Sequence, residues 1–240
     1  MKSHELWRKT FGEGPPAGHE ANPGPWVEGW EHIPSKEGYD GVSQWVDPKF
    51  FFSKTVGWEN VGIIGVLADY ALNFIAGDIL EIGCGTSSIY LTALANKYNR
   101  NIYYCDIESC KIINPLSVPG HMDAEKGHFY LCPSDVMFAK NELTPLSFTF
   151  IDGDHTYEQA KKDFWNVEKL TVPNGHILMH DTYPPSEEYC DHQCCGDVYK
   201  FRQEIEQDKR FDVFTFVGRD SYVASTLIRK KPLNRPYYQE

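Results

Sequence analysis

Apolar residues form short β-branched or aromatic runs that alternate with longer amphipathic segments from Glu59 onward. This alternation is typical of a parallel β-sheet whose strands are joined by helices. Helices are predicted near residues 59–75, over Ser87–Tyr98 and over Thr156–Thr171. Seven strands are predicted, over Asp78–Gly83, Asn101–Ile107, His128–Cys132, Ser147–Gly153, His176–Thr182, Phe211–Phe216 and Ser221–Arg229.

Only the short segment Val217–Asp220 separates the last two predicted strands. Two strands joined by so short a connection are antiparallel, and they form a hairpin at the end of the sheet. The predicted fold class is therefore α/β. It is a Rossmann-like, seven-stranded, mostly parallel sheet with a terminal antiparallel hairpin and helices on both faces.

The first 47 residues differ in composition from the rest, since they are rich in Gly, Pro and Trp. Their prolines prevent a long helix or a central strand. Four of the six tryptophans of the chain lie here, at Trp7, Trp26, Trp30 and Trp45. A fully solvated segment rarely carries so many large rings, so the segment is expected to dock as a lid, a dimer contact or a wrap over the core. We therefore divide the chain into an N-terminal arm over residues 1–47 and a main domain over residues 48–240.

Acidic residues outnumber basic ones by 34 to 23, which gives a formal net charge of −11. This balance argues against a large phosphate-binding surface, so nucleic acid is not an expected partner. The longest apolar run, Val61–Ala76, contains Asp69 and is shorter than the roughly 20 residues of a bilayer crossing. No basic region followed by an apolar stretch opens the sequence, so we expect a cytoplasmic protein without a membrane partner.

The seven cysteines are expected to be reduced in such a compartment. One cluster, Cys190, His192, Cys194 and Cys195, has a spacing that can hold a zinc ion, although no second pair of thiols accompanies it. A loop with incidental thiols is the alternative, and we prefer it.

The first chemical motif is a buried strand that runs into a glycine turn and then a helix, over residues 78–88. Gly83 and Gly85 allow the backbone to approach a ligand closely, and the helix N-terminus offers unpaired N–H groups. A dinucleotide site would have a third glycine at position 88, where this chain has Ser88. Glu81 precedes the turn, and a carboxylate suits a cationic aminosulfonium better than a pyrophosphate.

This motif resembles that of class I methyltransferases, in which an acidic residue precedes Gly-x-Gly-x-Gly and the third glycine is often replaced. The resemblance implies S-adenosylmethionine as cofactor. It implies that five residues of this motif bind it: Glu81, Gly83, Gly85, Ser87 and Ser88.

The same resemblance implies two further cofactor contacts. Asp106, at the end of the second strand, would bind the ribose hydroxyls, with Glu108 as a second candidate. Asp135, after the third strand, would contact the adenine amino group. The alternative for Asp135 is the N-cap of a helix over Val136–Leu143.

The second chemical motif gathers acids and imidazoles at the ends of the fourth and fifth strands, in Asp152-Gly-Asp154-His155 and His180-Asp181. Neighbouring strands lie about 4.8 Å apart, so Asp152 and Asp181 can face one point at the ligand-binding edge. Two carboxylates suit Mg²⁺ or Mn²⁺, and a histidine ligand would shift the preference toward Mn²⁺, Fe²⁺ or Zn²⁺. Helix capping by Asp152 or Asp154 is the alternative.

The stretch Ile151–Glu158, together with His180–Thr182, resembles the methyltransferase family that includes macrolide-sugar O-methyltransferases and cephalosporin hydroxylase-like proteins. This resemblance implies Asp152 and Asp181 as metal ligands, His180 as a possible third, and His155 as the general base. Related proteins often carry an acid where this chain has His180. The resemblance extends over about residues 59–216 and leaves the arm outside.

The expected function is methyl transfer from S-adenosylmethionine to a hydroxyl of a small molecule, a sugar or a natural product, with a divalent metal. A homodimer is the expected assembly. Three alternatives remain. A nicotinamide-dependent oxidoreductase is disfavoured by Glu81 and by the missing third glycine. A metal-dependent hydroxylase or hydrolase could use the same fold, and a non-catalytic module could bind a partner through the arm.

Overall fold

The computed structural model describes residues 59–85, 87–107, 126–191, 195–217 and 224–232. The predicted arm over residues 1–47 lies outside these ranges, as do Glu108, His192 and Cys194. The domain division and the zinc alternative therefore stay predictions.

The described residues form alternating helices and strands. The helices are α1 (Glu59–Phe74), α2 (Ser87–Tyr98), α3 (Ser134–Ala139), α4 (Tyr157–Leu170) and α5 (Val198–Ile205), with a 3₁₀ turn over Glu187–Cys190. The strands are β1 (Asp78–Ile82), β2 (Ile102–Asp106), β3 (Gly127–Leu131), β4 (Leu146–Ile151), β5 (Thr171–Met179), β6 (Phe211–Val217) and β7 (Ala224–Lys230).

All seven strands join one sheet in the order β3-β2-β1-β4-β5-β7-β6. Strands β1 to β5 are parallel, whereas β7 pairs antiparallel with both β5 and β6. The predicted fold class, including the terminal antiparallel hairpin, is confirmed. The chain order reverses between β1 and β4, which makes the carboxyl edge of these two strands the expected ligand site.

Each face of the sheet carries its own core, because successive side chains of a strand point to opposite faces. Ile79 of β1 packs with α1 and α2 on one face, whereas Leu80 and Ile82 pack with α4 and α5 on the other. The second core is rich in aromatic contacts, and the ring centroids of Phe164 and Phe201 lie 5.2 Å apart. Packing on both faces holds the central strands in place, and the site lies at their carboxyl ends.

The start of β5 differs from the prediction. The strand begins at Thr171 and not at His176, because Thr171 pairs with Leu146 of β4. Pro173 and Asn174 are typical turn residues, and Asn174 has a φ of +67°. Because of these two residues, the sequence pattern does not predict the early part of the strand. In the described part of the chain, no helix combines the length and the apolar character that a membrane crossing requires.

Candidate active site

The glycine turn after β1 is shaped by a close contact with β4. Gly83 has a φ of +83°, and a Cβ there would lie 1.9 Å from the carbonyl oxygen of Asp152. The Asp152 N–H donates to the Ile82 carbonyl at 2.8 Å, which holds the two strand ends together. At Gly85, in contrast, no atom of the described residues lies within 4 Å of an added Cβ, so this side of the turn is open with respect to them. Only glycine fits at position 83, and the turn leaves space for a ligand.

Asp106 ends β2 beside this turn and is buried. Its Oδ2 accepts a hydrogen bond from the Cys84 N–H at 2.8 Å, which fixes the carboxylate against the loop. A cavity of about 380 Å³ opens between the ends of β1, β2 and β4. Among the predicted cofactor residues, Gly83 and Asp106 line it.

Glu81 is fully buried beneath the turn. The Ser87 hydroxyl donates to its Oε1 at 2.5 Å, while Oε2 has no hydrogen-bond partner among the described residues. Burial raises the pKa of Glu81 to about 8, against the opposing effect of the hydrogen bonds from Ser87 and Ser88. Ser88 also accepts from the Gly85 N–H at 3.1 Å, so both serines hold the loop together.

Asp135 is not among the residues that line this cavity, and it forms an ion pair with Lys162 on α4. It is the second residue of α3, whose N-cap is Pro133. The alternative prediction that Asp135 caps a helix over Val136–Leu143 is therefore wrong. The helix starts earlier because Pro133 already has the fixed φ of a helix start, −54°.

Three polar residues that the sequence reasoning missed line the cavity near α3 and α4: Ser134, Gln159 and Asp163. The Ser134 hydroxyl donates to Asp163 Oδ1 at 2.6 Å, and Gln159 Nε2 donates to Ser134 Oγ at 3.0 Å and to Asp163 Oδ1 at 2.9 Å. Burial raises the pKa of Asp163 to about 6, although these hydrogen bonds act in the opposite direction. The available signal was the position of Asp163 among the apolar residues of the buried face of α4.

The second motif converges as predicted at the ends of β4 and β5. The His180 N–H donates to the Ile151 carbonyl at 2.9 Å, which aligns the two strand ends. His180 Nδ1 lies 3.2 Å from both Asp152 Oδ1 and Asp181 Oδ2. His155 Nε2 lies 3.1 Å from Asp181 Oδ2 and 3.9 Å from Asp152 Oδ1. Two carboxylates and two imidazoles therefore share one point beside the cavity.

A set of three ligand atoms stands out within this group. Asp152, His155 and Asp181 each offer one atom, and all three atoms lie within 4.8 Å of one another. Two carboxylate oxygens and one imidazole nitrogen match the ligand chemistry of Mn²⁺ and Fe²⁺, and also suit Mg²⁺. His155, predicted as the general base, thus falls inside this ligand set, whereas His180 Nδ1 lies 3.2 Å from one oxygen of each of its two carboxylates.

The charged groups of this cluster shift the pKa values of one another. Burial alone would lower the pKa of His180, but Asp152 and Asp181 together hold it well above its usual value. Burial raises the pKa of Asp152, yet His180 and His155 more than reverse this effect and leave it well below the usual range. Asp181 has a φ of +58°, a left-handed conformation that costs a non-glycine residue roughly 1 to 3 kcal/mol. Such strain is typical of functional sites.

Helix capping explains little of this cluster. The N-cap of α4 is Thr156, whose side chain accepts from the Gln159 N–H at 3.3 Å. Asp154 Oδ1 accepts from the Thr156 N–H at 2.8 Å and so stabilises the turn before the helix. The capping alternative thus applies in part to Asp154 and fails for Asp152.

Comparisons with known proteins agree with this geometry. A family model described as a methyltransferase domain matches residues 80–182. The O-methyltransferase TomG from Streptomyces achromogenes, involved in tomaymycin synthesis and solved with S-adenosylmethionine, has 18% identity and a TM-score of 0.58, over 80% of this chain and 90% of that one. The O-methyltransferase from Bacillus cereus, solved with S-adenosylhomocysteine, has 18% identity and a TM-score of 0.58, over 83% and 93%.

The same fold also occurs in a protein described as acting on another kind of acceptor. An rRNA methylase from Streptococcus thermophilus has 8% identity and a TM-score of 0.50, over 70% of this chain and 95% of that one. The fold by itself therefore does not select the acceptor. The glycine turn, the strand order and the family match agree on the class. Residues 80–182 thus match a methyltransferase domain, and the sheet has the Rossmann-like fold that class I, S-adenosylmethionine-dependent methyltransferases share.

Proposed function

We propose that this protein methylates a hydroxyl group of a small molecule and uses a divalent cation to do so. One observation carries the proposal: Asp152, His155 and Asp181 converge beside the cavity that Gly83 and Asp106 line. Asp152 belongs to both groups, so an acceptor held at the ligand set would meet the cofactor cavity. Alignment of acceptor and donor is the main requirement of an in-line methyl transfer.

The residues divide this work between them. Asp106 and the turn at Gly83 would hold S-adenosylmethionine, whose sulfonium supplies the methyl group. A cation bound by Asp152, His155 and Asp181 would lower the pKa of the acceptor hydroxyl as a Lewis acid. Buried Asp181 would fix one side of this set, and the imidazole of His180, 3.2 Å from both carboxylates, would balance part of their charge.

A small acceptor fits the charge of the protein better than a nucleic acid does. The formal net charge of −11 opposes a polyanion, and the ligand set adds two carboxylates to the mouth of the cavity. The homodimer and the cytoplasmic location stay predictions.

Calorimetric titration with S-adenosylhomocysteine tests the cofactor half of the proposal. We expect micromolar binding to the wild type and at least tenfold weaker binding to Asp106→Ala. Asp212→Ala is the matched control, since Asp212 is an acid on edge strand β6 that pairs with Arg229. Absence of binding to the wild type would contradict the proposal and favour a metal-dependent hydrolase or hydroxylase.

Turnover assays test the metal half. Methyl transfer to a panel of sugars, phenols and catechols should require Mg²⁺ or Mn²⁺ and stop with a chelator. Turnover that a chelator leaves unchanged would remove the cation from the mechanism.

His155 has two candidate roles, ligand and general base, and they predict different variants. Because Nε2 belongs to the three-atom ligand set, we expect His155→Ala to weaken Mn²⁺ binding at least tenfold while S-adenosylhomocysteine binding persists. Wild-type Mn²⁺ affinity combined with lost turnover would instead assign His155 as the base.

A further inference from the structure

The connection from Thr182, directly after Asp181, to α5 packs on His155 through Gly196 and Asp197. The Asp197 N–H donates to the His155 carbonyl at 2.8 Å. Gly196 has a φ of +54°, and a Cβ there would lie 2.1 Å from the His155 carbonyl oxygen and 2.7 Å from His155 Cβ. A side chain at position 196 would therefore displace His155 or the connection itself.

The connection is anchored where it begins. It starts directly after Asp181, at Thr182, whose N–H donates to the Ala224 carbonyl at 3.1 Å. Arg202 Nε donates to the Thr182 carbonyl at 2.9 Å and ties the same point to α5. The chain thus leaves one residue of the ligand set, Asp181, from a fixed position.

The connection is also anchored where it meets His155. The Cys195 N–H donates to the Tyr189 carbonyl and the Gly196 N–H to the Asp191 carbonyl, each at 2.9 Å. Cys195 is fully buried, and α5 begins two residues after Gly196 with buried Val198. The described residues at this end of the connection are therefore packed, and they abut His155.

His155 depends on this contact because its own turn is short. Four residues separate the end of β4 from the N-cap Thr156, and the His155 carbonyl accepts from the Asp197 N–H beside Gly196. A metal-binding imidazole must hold both its position and its ring orientation, and groups behind the ligand commonly set them.

We propose that Gly196 is a positioning residue, which lets the connection pack on His155 and so places Nε2 in the cation-binding set. This inference rests on the proposed function. It assigns a role to Gly196, which would act through the backbone of the metal ligand His155 and would touch neither cofactor nor acceptor.

The first test compares Gly196→Ala with the wild type by titration with Mn²⁺ alone. We expect a Kd for Mn²⁺ that is 10- to 100-fold higher, and an S-adenosylhomocysteine Kd within twofold of the wild type. Gly175→Ala is the matched control. A Cβ at Gly175, in the middle of β5, would lie 2.6 Å from Thr171 Cγ2 and 2.8 Å from the Val172 carbonyl oxygen, so it strains the fold at atoms other than those of His155. We expect it to lower the melting temperature and leave Mn²⁺ affinity unchanged.

Three outcomes separate the two proposals. A folded Gly196→Ala variant with wild-type Mn²⁺ affinity would overturn the positioning role alone. Equal losses of Mn²⁺ affinity in both glycine variants would also overturn it, because general destabilisation would then explain the effect. A wild type that binds S-adenosylhomocysteine but no divalent cation would overturn the metal half of the proposed function and this inference together.

Hydrogen exchange on the wild-type protein provides a second test if Gly196→Ala does not fold. Saturation with Mn²⁺ should slow exchange of the Asp197 amide at least fivefold, because it donates to the residue that holds the cation. The amide of Val213 on β6 serves as the reference. Unchanged Asp197 exchange in the Mn²⁺-bound protein would refute the coupling.

Discussion

Replacement of Glu81 by glutamine should stabilise the protein at neutral pH. Burial raises the pKa of Glu81 from 4.5 to about 8, and the nearby Asp152 and Asp106 carboxylates contribute in the same direction. The folded protein therefore binds this proton more tightly than the unfolded chain. The resulting stability is complete below pH 4.5 and is lost as the pH rises through 8.

The magnitude follows from the two pKa values. Each pKa unit corresponds to about 1.4 kcal/mol, so at pH 7 the linkage lowers the free energy of unfolding by about 3 kcal/mol relative to pH below 4.5. Between pH 5.5 and pH 8 the wild type should lose about 3 kcal/mol through this group. Glu81→Gln keeps the shape and the hydrogen bond from Ser87 but has no proton to lose.

Urea denaturation at pH 5.5, 7 and 8 measures this effect in both proteins. Asp163 also titrates with a raised pKa, so the difference between the two curves, and not the wild-type slope, isolates Glu81. We expect the variant to gain stability over the wild type as the pH rises. Parallel curves would refute the reasoning, since they would mean that Glu81 titrates alike in the folded and unfolded states.

Other substitutions test the packing and the cavity. Gly83→Ala would place its Cβ 1.9 Å from the Asp152 carbonyl, so we expect loss of S-adenosylhomocysteine binding in calorimetry, and wild-type affinity would contradict the close contact. Phe164→Ala removes a fully buried ring and should lower the free energy of unfolding by about 3 to 5 kcal/mol in urea denaturation, whereas a loss below about 1 kcal/mol would show that the core repacks. As the pH rises from 3.8 through 6, the wild type should lose up to about 3 kcal/mol of its free energy of unfolding through Asp163. Asp163→Asn should not show this loss, and a pH profile like that of the wild type would argue against a raised pKa of Asp163.

The strands could be predicted from sequence because their signal is local. The central strand β1 has four buried residues in succession, and such runs between turn residues identify buried parallel strands. The early part of β5 could not be predicted in this way. Pro173 and Asn174 lie in a register shift between the Thr171–Leu146 pair and the His176–Phe148 pair, and the pairing before this shift depends on residues distant in the chain.

The sequence predicts those parts of the site whose positions depend only on where the strands end. Asp152 and Asp181 follow neighbouring parallel strands, so their approach required only the strand order. The place of His155 depends on the path of the turn after β4, and the role of Gly196 depends on a contact with a distant segment. No periodicity encodes either feature. Asp163 was accessible in principle, because an acid among buried apolar positions of a helix indicates a specific partner.

The contact between Gly83 and Asp152 joins the two halves of the site. Gly83 belongs to the turn that would bind the cofactor, and Asp152 belongs to the ligand set. They meet because β1 and β4 are neighbours at the point where the chain order of the sheet reverses. With no Cβ between them, the two backbones lie close enough for one cavity edge to serve both donor and acceptor. A bulkier residue at position 83 would separate these halves, even if each kept all of its own side chains.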